Sequence, residues 1–344
     1  MKRLDSVLIR DNNSFDIVRL LAALMVVLGH SFALFKNNNY ADPVRYFLKD
    51  DYSGSLAVYI FFFLSGLFIS SSIVNAKNLQ SFVLMRVFRI WPALIVCILL
   101  TVFIAGPLVT KFTLTEYFTH KTTWRYLIGN VLLHPVQIIL PGCFESNFHP
   151  NNVNGSLWTP PLEVACYFMI LLPGIFGVFK SKLITIALFL LIFVAYLFNQ
   201  NLLAVYTNRP VPFFLAGSFC FFIRKYIFID YRLFIGMMAV LLFFNSRVLF
   251  YFSWVYLALL LGSAPVLKEI KLPGDYSYGI YIYGFLVQQL LSHYIPGLNS
   301  LNSLFFSVPL LFLIGSFSWR FIEFPAIKFG KRIARYAIVK SRNF

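Results

Sequence analysis

Apolar segments long enough to cross a lipid bilayer recur along the whole chain, separated by polar connections. A bilayer core of about 30 Å requires roughly 20 consecutive apolar residues in a helix. The pattern predicts ten spans, at 15–35, 55–75, 91–110, 156–178, 183–198, 209–223, 231–245, 248–267, 276–295 and 303–322. The sequence therefore predicts an all-α polytopic membrane protein with about ten transmembrane helices. One domain, residues 1–330, would be followed by a basic cytoplasmic tail, residues 331–344.

The composition agrees with this pattern. Hydrophobic residues make up 59% of the 344 residues and charged residues only 12%, whereas an ordinary globular domain is about 25% charged. Too few charged side chains are available to cover a water-facing surface, which excludes a soluble enzyme and a disordered protein. From their spacing we expect neither a metal site nor a disulfide among the four cysteines, which are Cys97, Cys143, Cys166 and Cys220.

The net charge of +16, from 29 Lys and Arg against 13 Asp and Glu, has two possible meanings. On a soluble protein it would suggest nucleic acid binding. Here most of the basic residues fall in the connections on the side of the N-terminus, as the positive-inside rule describes. The charge therefore predicts that both termini are cytoplasmic, and we expect no nucleic acid partner.

Residues 111–155 form the longest connection between predicted spans. Long loops in compact proteins are usually functional or disordered. This one is rich in aromatic residues and contains a semi-apolar stretch, 126–140, so we expect it to fold over the outer face. Its three histidines, His120, His134 and His149, would fit either a metal site or ordinary solvated side chains, and their irregular spacing favours the latter.

Ionisable residues inside membrane spans are costly and often mark function. Eleven helical steps separate Arg19 from His30, so the two share a helix face about 16 Å apart, and Asp16 can pair with Arg19. His30 and Glu163 lie at similar predicted depths below the outer surface, which permits a carboxylate–imidazole pair. Such a pair would make His30 a general base, although a buried histidine can also be merely structural.

Arg86 and Arg89 stand three residues apart just before Pro92, where the third span is predicted to begin. On a helix the two side chains are neighbours. Guanidinium groups bind phosphate through a planar fork of donors. The pair would therefore fit a phosphate-binding site, or equally a simple cytoplasmic anchor.

Taken together, these residues resemble the acyltransferase family 3 membrane proteins, which O-acylate sugars and other hydroxylated acceptors. The similarity follows the family's order along nearly the whole chain. It rests on six segments: 15–30, with ten residues between Arg19 and His30; 61–66 (FFFLSG); 86–92 (RVFRIWP); 156–163 (SLWTPPLE); 276–281 (YSYGIY); and 323–325 (EFP). The chain departs from the family's pattern at two positions. Tyr59 stands where the family usually has an acid, and Gly284 stands where the family often has a histidine.

The resemblance implies an O-acyltransferase, most simply an O-acetyltransferase, in a bacterial inner membrane. Acetyl-CoA would donate the acyl group without a metal cofactor, and the acceptor would be an extracytoplasmic glycan or a lipid-linked oligosaccharide. His30 and Glu163 are then the candidate catalytic residues, Arg19, Arg86 and Arg89 the candidate donor-binding residues, and Tyr59, Ser156 and Trp158 the candidate acceptor-binding residues.

A transporter or flippase of glycans or lipids is the alternative from another functional class. Ten spans with a few buried ionisable groups would suit one. Transporter sites favour broken helices in paired repeats, and no such repeat is detectable in the sequence.

Overall fold

The computed structural model describes residues 1–9, 12–36, 41–76, 78–198, 209–244 and 246–340. Within these ranges the backbone is mostly helical, and strands β1 (Lys2–Arg3) and β2 (Phe228–Ile229) pair antiparallel. The first half of the chain forms α1 (Leu4–Val7), α2 (Phe15–Leu34), α3 (Ser53–Val74), α4 (Leu79–Leu100), α5 (Gly106–Val109), α6 (Leu114–Thr119), α7 (Lys121–Val131) and α8 (Thr159–Ile175). The second half forms α9 (Lys182–Phe198), α10 (Pro210–Phe222), α11 (Tyr231–Phe244), α12 (Arg247–Ser263), α13 (Pro265–Glu269), α14 (Ser277–Tyr294), α15 (Ser300–Ser318) and α16 (Phe324–Lys340).

Shorter helical turns complete these elements. The 3₁₀ turns are Pro43–Tyr46, Gly155–Trp158 and Val178–Lys180, and the π turns are Thr101–Ala105 and Trp319–Glu323. The π turns join α4 to α5 and α15 to α16, so each pair is a continuous helix.

Each of the ten predicted spans coincides with a helix over its described residues; residue 245, which ends one span, lies outside them. Five helical segments in the described ranges are long and apolar enough to cross a membrane: Phe15–Leu34, Ser53–Val74, Leu79–Val109, Gly155–Ile175 and Ser300–Tyr336. Four shorter apolar helices are Lys182–Ile192, Pro210–Phe222, Tyr231–Phe244 and Arg247–Ser263. The chain is therefore a helical, membrane-type protein, while the number of crossings and the side of the termini stay predictions.

The predicted start of the third span was wrong by about three helical turns. α4 begins at Leu79, where the Asn78 side chain accepts a hydrogen bond from the Ser81 amide at 2.8 Å. Because Arg86 and Arg89 interrupt the apolar residues at the start of α4, the predicted span began only after them. Pro92 consequently lies inside the helix rather than in its first turn, and Arg86 and Arg89 lie within the helix too.

The contacts of the chain divide it into two compact units. The first comprises Met1–Ala22, Ala57–Ala76 and Ala165–Pro273, and the second comprises Ala23–Leu56, Lys77–Val164 and Gly274–Phe344. The single domain over residues 1–330 stays a prediction.

In the first unit, α3 and α10 approach so closely that glycine is required on both helices. A Cβ atom on Gly66 would clash with the carbonyl oxygen of Phe214, and one on Gly217 with that of Phe63. The Ser218 hydroxyl donates to the carbonyl of Gly66 at 3.3 Å. Small residues commonly allow such backbone contact between membrane helices, which explains the glycine of the FFFLSG segment.

Gly217→Ala is therefore expected to destabilise the protein, because overpacking of a tight contact costs about 1–3 kcal/mol. Gly236 of α11 is the matched control, since a Cβ there would meet no atom within 4 Å. Gly236→Ala should instead be neutral or slightly stabilising, as alanine is favoured over glycine in a helix by roughly 0.5–1 kcal/mol. Thermal unfolding of both purified variants in detergent measures the difference, and equal midpoints would contradict the packing described here.

In the second unit, α16 packs along the first half of α4. The rings of Phe88 and Phe329 meet edge to face with centroids 5.6 Å apart, and Gly330 leaves no space for a side chain against Phe88. The predicted basic tail is thus, as far as Lys340, part of a helix that begins at Phe324. Its last four residues, 341–344, lie outside the described residues.

The long connection 111–155 does not simply cover one end of the helices, as the sequence suggested. α7 runs antiparallel to α4: the Tyr117 hydroxyl donates to the Val102 carbonyl at 3.0 Å, and the Trp91 indole donates to the Val131 carbonyl at 3.1 Å. Trp91 is about 27 Å below Val109 at 1.5 Å per residue. Residues 121–140 thus form a hairpin that lies beside α4.

The end of the connection also lies beside α4, far from the Val109 end of this continuous helix. The Asn154 side-chain amide donates to the Ile282 carbonyl at 2.8 Å, and the Cys97 thiol bonds to the same carbonyl at 3.5 Å. Twelve residues separate Cys97 from Val109, about 18 Å of helix. The helical segment Gly155–Ile175 therefore starts well inside the bundle and not at its outer edge.

Candidate active site

His30 lies near the end of α2 and is only 8% exposed. Its ring meets the edge of Phe285 of α14, with centroids 5.1 Å apart. His149 packs on the same phenyl ring at 6.2 Å and interacts electrostatically with His30. His30 Nδ1 is buried and has no hydrogen-bond partner among the described residues. This nitrogen is available to bind a proton or a ligand hydroxyl.

The turn Gly155–Trp158 lies against the same phenyl ring. A Cβ on Gly155 would meet Phe285, and the Asn154 carboxamide oxygen accepts from the Ser156 amide at 3.1 Å. Asn154 therefore caps this turn. Ser156 Oγ is buried and has no partner within the described ranges, while the indole of Trp158 is 37% exposed.

A second cluster surrounds Arg89 of α4. Its guanidinium contacts Asp275 at 2.5 Å and Glu323 at 3.6 Å. It also lies over the rings of Tyr278 and Trp319, at 5.8 and 5.9 Å from their centroids. Because two carboxylates already surround this cation, its role is at least partly structural.

Asp275 and Glu323 were not predicted as partners of Arg89. The sequence carried a signal for both, since Asp275 directly precedes the YSYGIY segment and Glu323 opens the EFP segment. Their meeting with Arg89 depends on the tertiary fold, and no spacing along the chain indicates it.

Glu163 belongs with this second cluster. It interacts electrostatically with Arg89, Tyr278 and Tyr281, while His30 lies against Phe285 and interacts with His149. The pairing of Glu163 with His30 stays a prediction. Asn154 lies at the level of Cys97 on α4. Glu163 is nine residues beyond Asn154, and Arg89 comes eight residues before Cys97. Both are therefore closer than Cys97 to the Leu79 end of α4.

The remaining predicted residues are distributed over both units. In the first unit, Arg19 contacts Asp16 at 3.5 Å, as the spacing suggested, and lies over the Phe68 ring at 4.9 Å. Tyr59 is buried and stacks on Phe213 at 4.3 Å, so it is a packing residue there. In the second unit, Arg86 lies over the ring of Phe82 at 5.5 Å.

No group of three or more His, Cys, Asp or Glu side chains in the described parts of the chain is arranged to hold a metal ion. Among the loop histidines, His120 accepts a hydrogen bond from the Thr122 amide at 3.2 Å and so caps α7. His134 is exposed, and His149 lies beside His30. The three loop histidines therefore have separate positions.

Comparisons with known proteins match the chain to acyltransferases. Residues 12–321 match the family model described as an acyltransferase domain. An O-acetyl transferase of Shigella phage Sf6 is 28% identical over 336 residues, covering 91% of this chain and 95% of the relative. Nodulation protein 10 of Rhizobium leguminosarum bv. viciae is 28% identical over 160 residues, covering 45% of this chain and 42% of that protein. No solved structure matches the chain.

Proposed function

The chain belongs to acyltransferase family 3, and from this premise we propose that it is an integral-membrane O-acetyltransferase of a bacterial inner membrane. Acetyl-CoA on the cytoplasmic side would be the donor, and a hydroxyl of an extracytoplasmic or lipid-linked glycan the acceptor. The observation that carries the proposal is His30, a buried imidazole with an unoccupied nitrogen at the position of the family's motif. The full-length match to an O-acetyl transferase supports the acetyl group.

The chemistry requires a base for the acceptor hydroxyl. His30 Nδ1 would accept the hydroxyl proton as the oxygen attacks the thioester carbonyl. The new C–O bond forms, the C–S bond breaks, and the coenzyme A thiolate takes up the proton from His30. Alternatively, His30 itself would carry the acetyl group before the hydroxyl attacks it.

The acids and bases of the second cluster would act on the donor side. We propose that Glu163 contributes there, through the Arg89 cluster, instead of orienting His30. Arg86 lies one helical turn from Arg89 on α4, towards Leu79. It would contact the donor phosphates, with Arg89 held in place by Asp275 and Glu323. Arg19 stays a candidate donor-binding residue on the strength of the family's motif alone.

Arg86→Ala is expected to weaken acetyl-CoA binding by about tenfold or more, since a hydrogen bond to a charged group contributes roughly 1.5–3 kcal/mol. Titration of purified protein with acetyl-CoA measures the affinity. Arg335→Ala is the control, because Arg335 is an exposed cation on α16. An unchanged affinity for the Arg86 variant would make Arg86 a topological anchor only.

The function itself is tested by incubating purified full-length protein with acetyl-labelled acetyl-CoA and a panel of p-nitrophenyl hexosides. Label should appear on a sugar hydroxyl, identified by mass spectrometry. A transporter or flippase would transfer no label to any acceptor. Absence of transfer to sugars and to isolated cell-surface glycan would therefore contradict the proposal.

A further inference from the structure

Several buried polar atoms around Phe285 have no hydrogen-bond partner among the described residues. They are His30 Nδ1, Ser156 Oγ, Asn152 Oδ1 and Gln288 Oε1. A buried polar atom left unpaired costs about 1–3 kcal/mol, and folded proteins contain few of them. Four such atoms in one region fit a polar ligand that would complete their hydrogen bonds.

These atoms come from three different parts of the second unit. Gln288 lies one turn beyond Phe285 on α14, and its amide donates to the Val27 carbonyl of α2 at 3.0 Å. Ser156 follows Gly155, which abuts the ring of Phe285. Asn152 belongs to the end of the long connection. The unpaired atoms therefore belong to His30, which contacts Phe285, and to residues close to Phe285 along α14 or bonded beside it.

The buried side chain of Gln289 holds several residues of the segment 147–152. The Gln289 amide donates to the carbonyls of His149 and Asn152 at 2.8 and 2.6 Å, and its side-chain oxygen accepts from the Asn147 amide at 2.7 Å. The backbone of this segment is thus held against α14. His149 remains exposed, while buried His30 contacts the same Phe285 ring.

The chemistry of the atoms selects the class of ligand. A hydroxyl both donates and accepts, so a ligand with several hydroxyls can satisfy an imidazole nitrogen, a serine hydroxyl and two amide oxygens together. No Lys or Arg side chain belongs to this set, which disfavours a phosphate. An acyl chain would leave every atom of the set unpaired.

We propose that His149 is a positioning residue for the sugar acceptor, which the unpaired atoms near Phe285 would bind. His149 would hydrogen-bond a sugar hydroxyl next to the one that reacts at His30. This proposal rests on the proposed O-acetyltransferase function.

The test uses purified full-length protein, acetyl-CoA and the p-nitrophenyl hexoside that the wild-type protein acetylates fastest. His149→Ala should raise the KM for the hexoside about tenfold, which corresponds to one hydrogen bond of about 1.4 kcal/mol. The kcat and the affinity for acetyl-CoA should change much less. His149→Gln keeps a donor and an acceptor and should restore most of the lost affinity. Asn152→Ala should raise the same KM, because it removes an unpaired oxygen and keeps the backbone carbonyl.

His134→Ala is the control, since His134 is an exposed histidine of the same connection and should leave the KM unchanged. An unaltered acceptor KM in both the His149→Ala and Asn152→Ala variants would overturn the proposal. Equal losses in His149→Ala and His149→Gln, with weaker acetyl-CoA binding, would show a merely structural role and overturn it as well. A wild-type protein that transfers no label would contradict the proposed function instead, so the two failures are distinguishable.

Discussion

His30→Ala is expected to lower acetyl transfer by about 10²–10⁴-fold, the usual contribution of a positioned general base. The fold should survive, because the imidazole contacts Phe285 only at a ring edge and its Nδ1 bonds to no described residue. Initial rates of label transfer from acetyl-CoA measure the effect at equal amounts of purified protein. If His30 carries the acetyl group itself, the same variant will also fail to incorporate label in the absence of acceptor.

Two comparisons separate catalysis from stability in this experiment. His30→Gln keeps a polar side chain of similar length but no basic nitrogen, and it should be as inactive as His30→Ala. His134→Ala removes an exposed histidine and should transfer at the wild-type rate. Transfer within a few-fold of wild type by either His30 variant would refute the catalytic assignment.

Arg89→Ala is expected to destabilise the protein by about 3–5 kcal/mol, the cost of removing one partner from a buried ion cluster. The variant would leave Asp275 and Glu323 without their cation, and Glu323 is only 1% exposed. Among the described residues, the Ser277 hydroxyl donates to Asp275 and the Ser318 hydroxyl donates to Glu323, and a hydroxyl does not neutralise charge. Much of the variant should therefore fail to accumulate in the membrane or unfold at lower temperature.

The matched variant neutralises all three partners at once, with Arg89→Met, Asp275→Asn and Glu323→Gln. Replacement of a whole buried ion cluster by neutral groups is often tolerated, so this variant should recover much of the lost stability. Arg86→Ala, one turn away, should unfold near the wild-type temperature. Equal midpoints for Arg89→Ala and wild-type protein in detergent would show that the cluster is not a stabilising element.

The helices themselves were predictable from the sequence because apolar length is set by the bilayer. Within the described residues each predicted apolar run contains a helix, and the Asp16–Arg19 contact follows from helical spacing alone. The start of α4 was missed because Arg86 and Arg89 interrupt its first turns and because hydropathy does not register the cap that Asn78 provides.

The site was only partly predictable, for a different reason. His30 could be singled out because an ionisable residue in an apolar run is unusual, and Arg89 because it forms a pair with Arg86 just before such a run. Their surroundings depend on which segments meet in space: His149 packs on the Phe285 ring that His30 also contacts, and Glu163 interacts electrostatically with Arg89. The hydropathy pattern gives no signal for the course of the connection 111–155, which carries His149 and leads into the helix of Glu163.

α4 and α14 run parallel, since Arg89 contacts Asp275 and Cys97 contacts Ile282. This course sets the length of a donor that would extend from the Arg89 cluster to His30. The path from Arg86 follows α4 to Cys97, which contacts Ile282, and then follows α14 to Phe285. Together these two steps rise by roughly 20 Å at 1.5 Å per residue. A donor with phosphates at Arg86 and its carbonyl carbon at His30 must therefore bridge this distance with a slender, extended linker. Acetyl phosphate, whose carbonyl and phosphorus share one oxygen, is too short by an order of magnitude and should not replace a thioester donor.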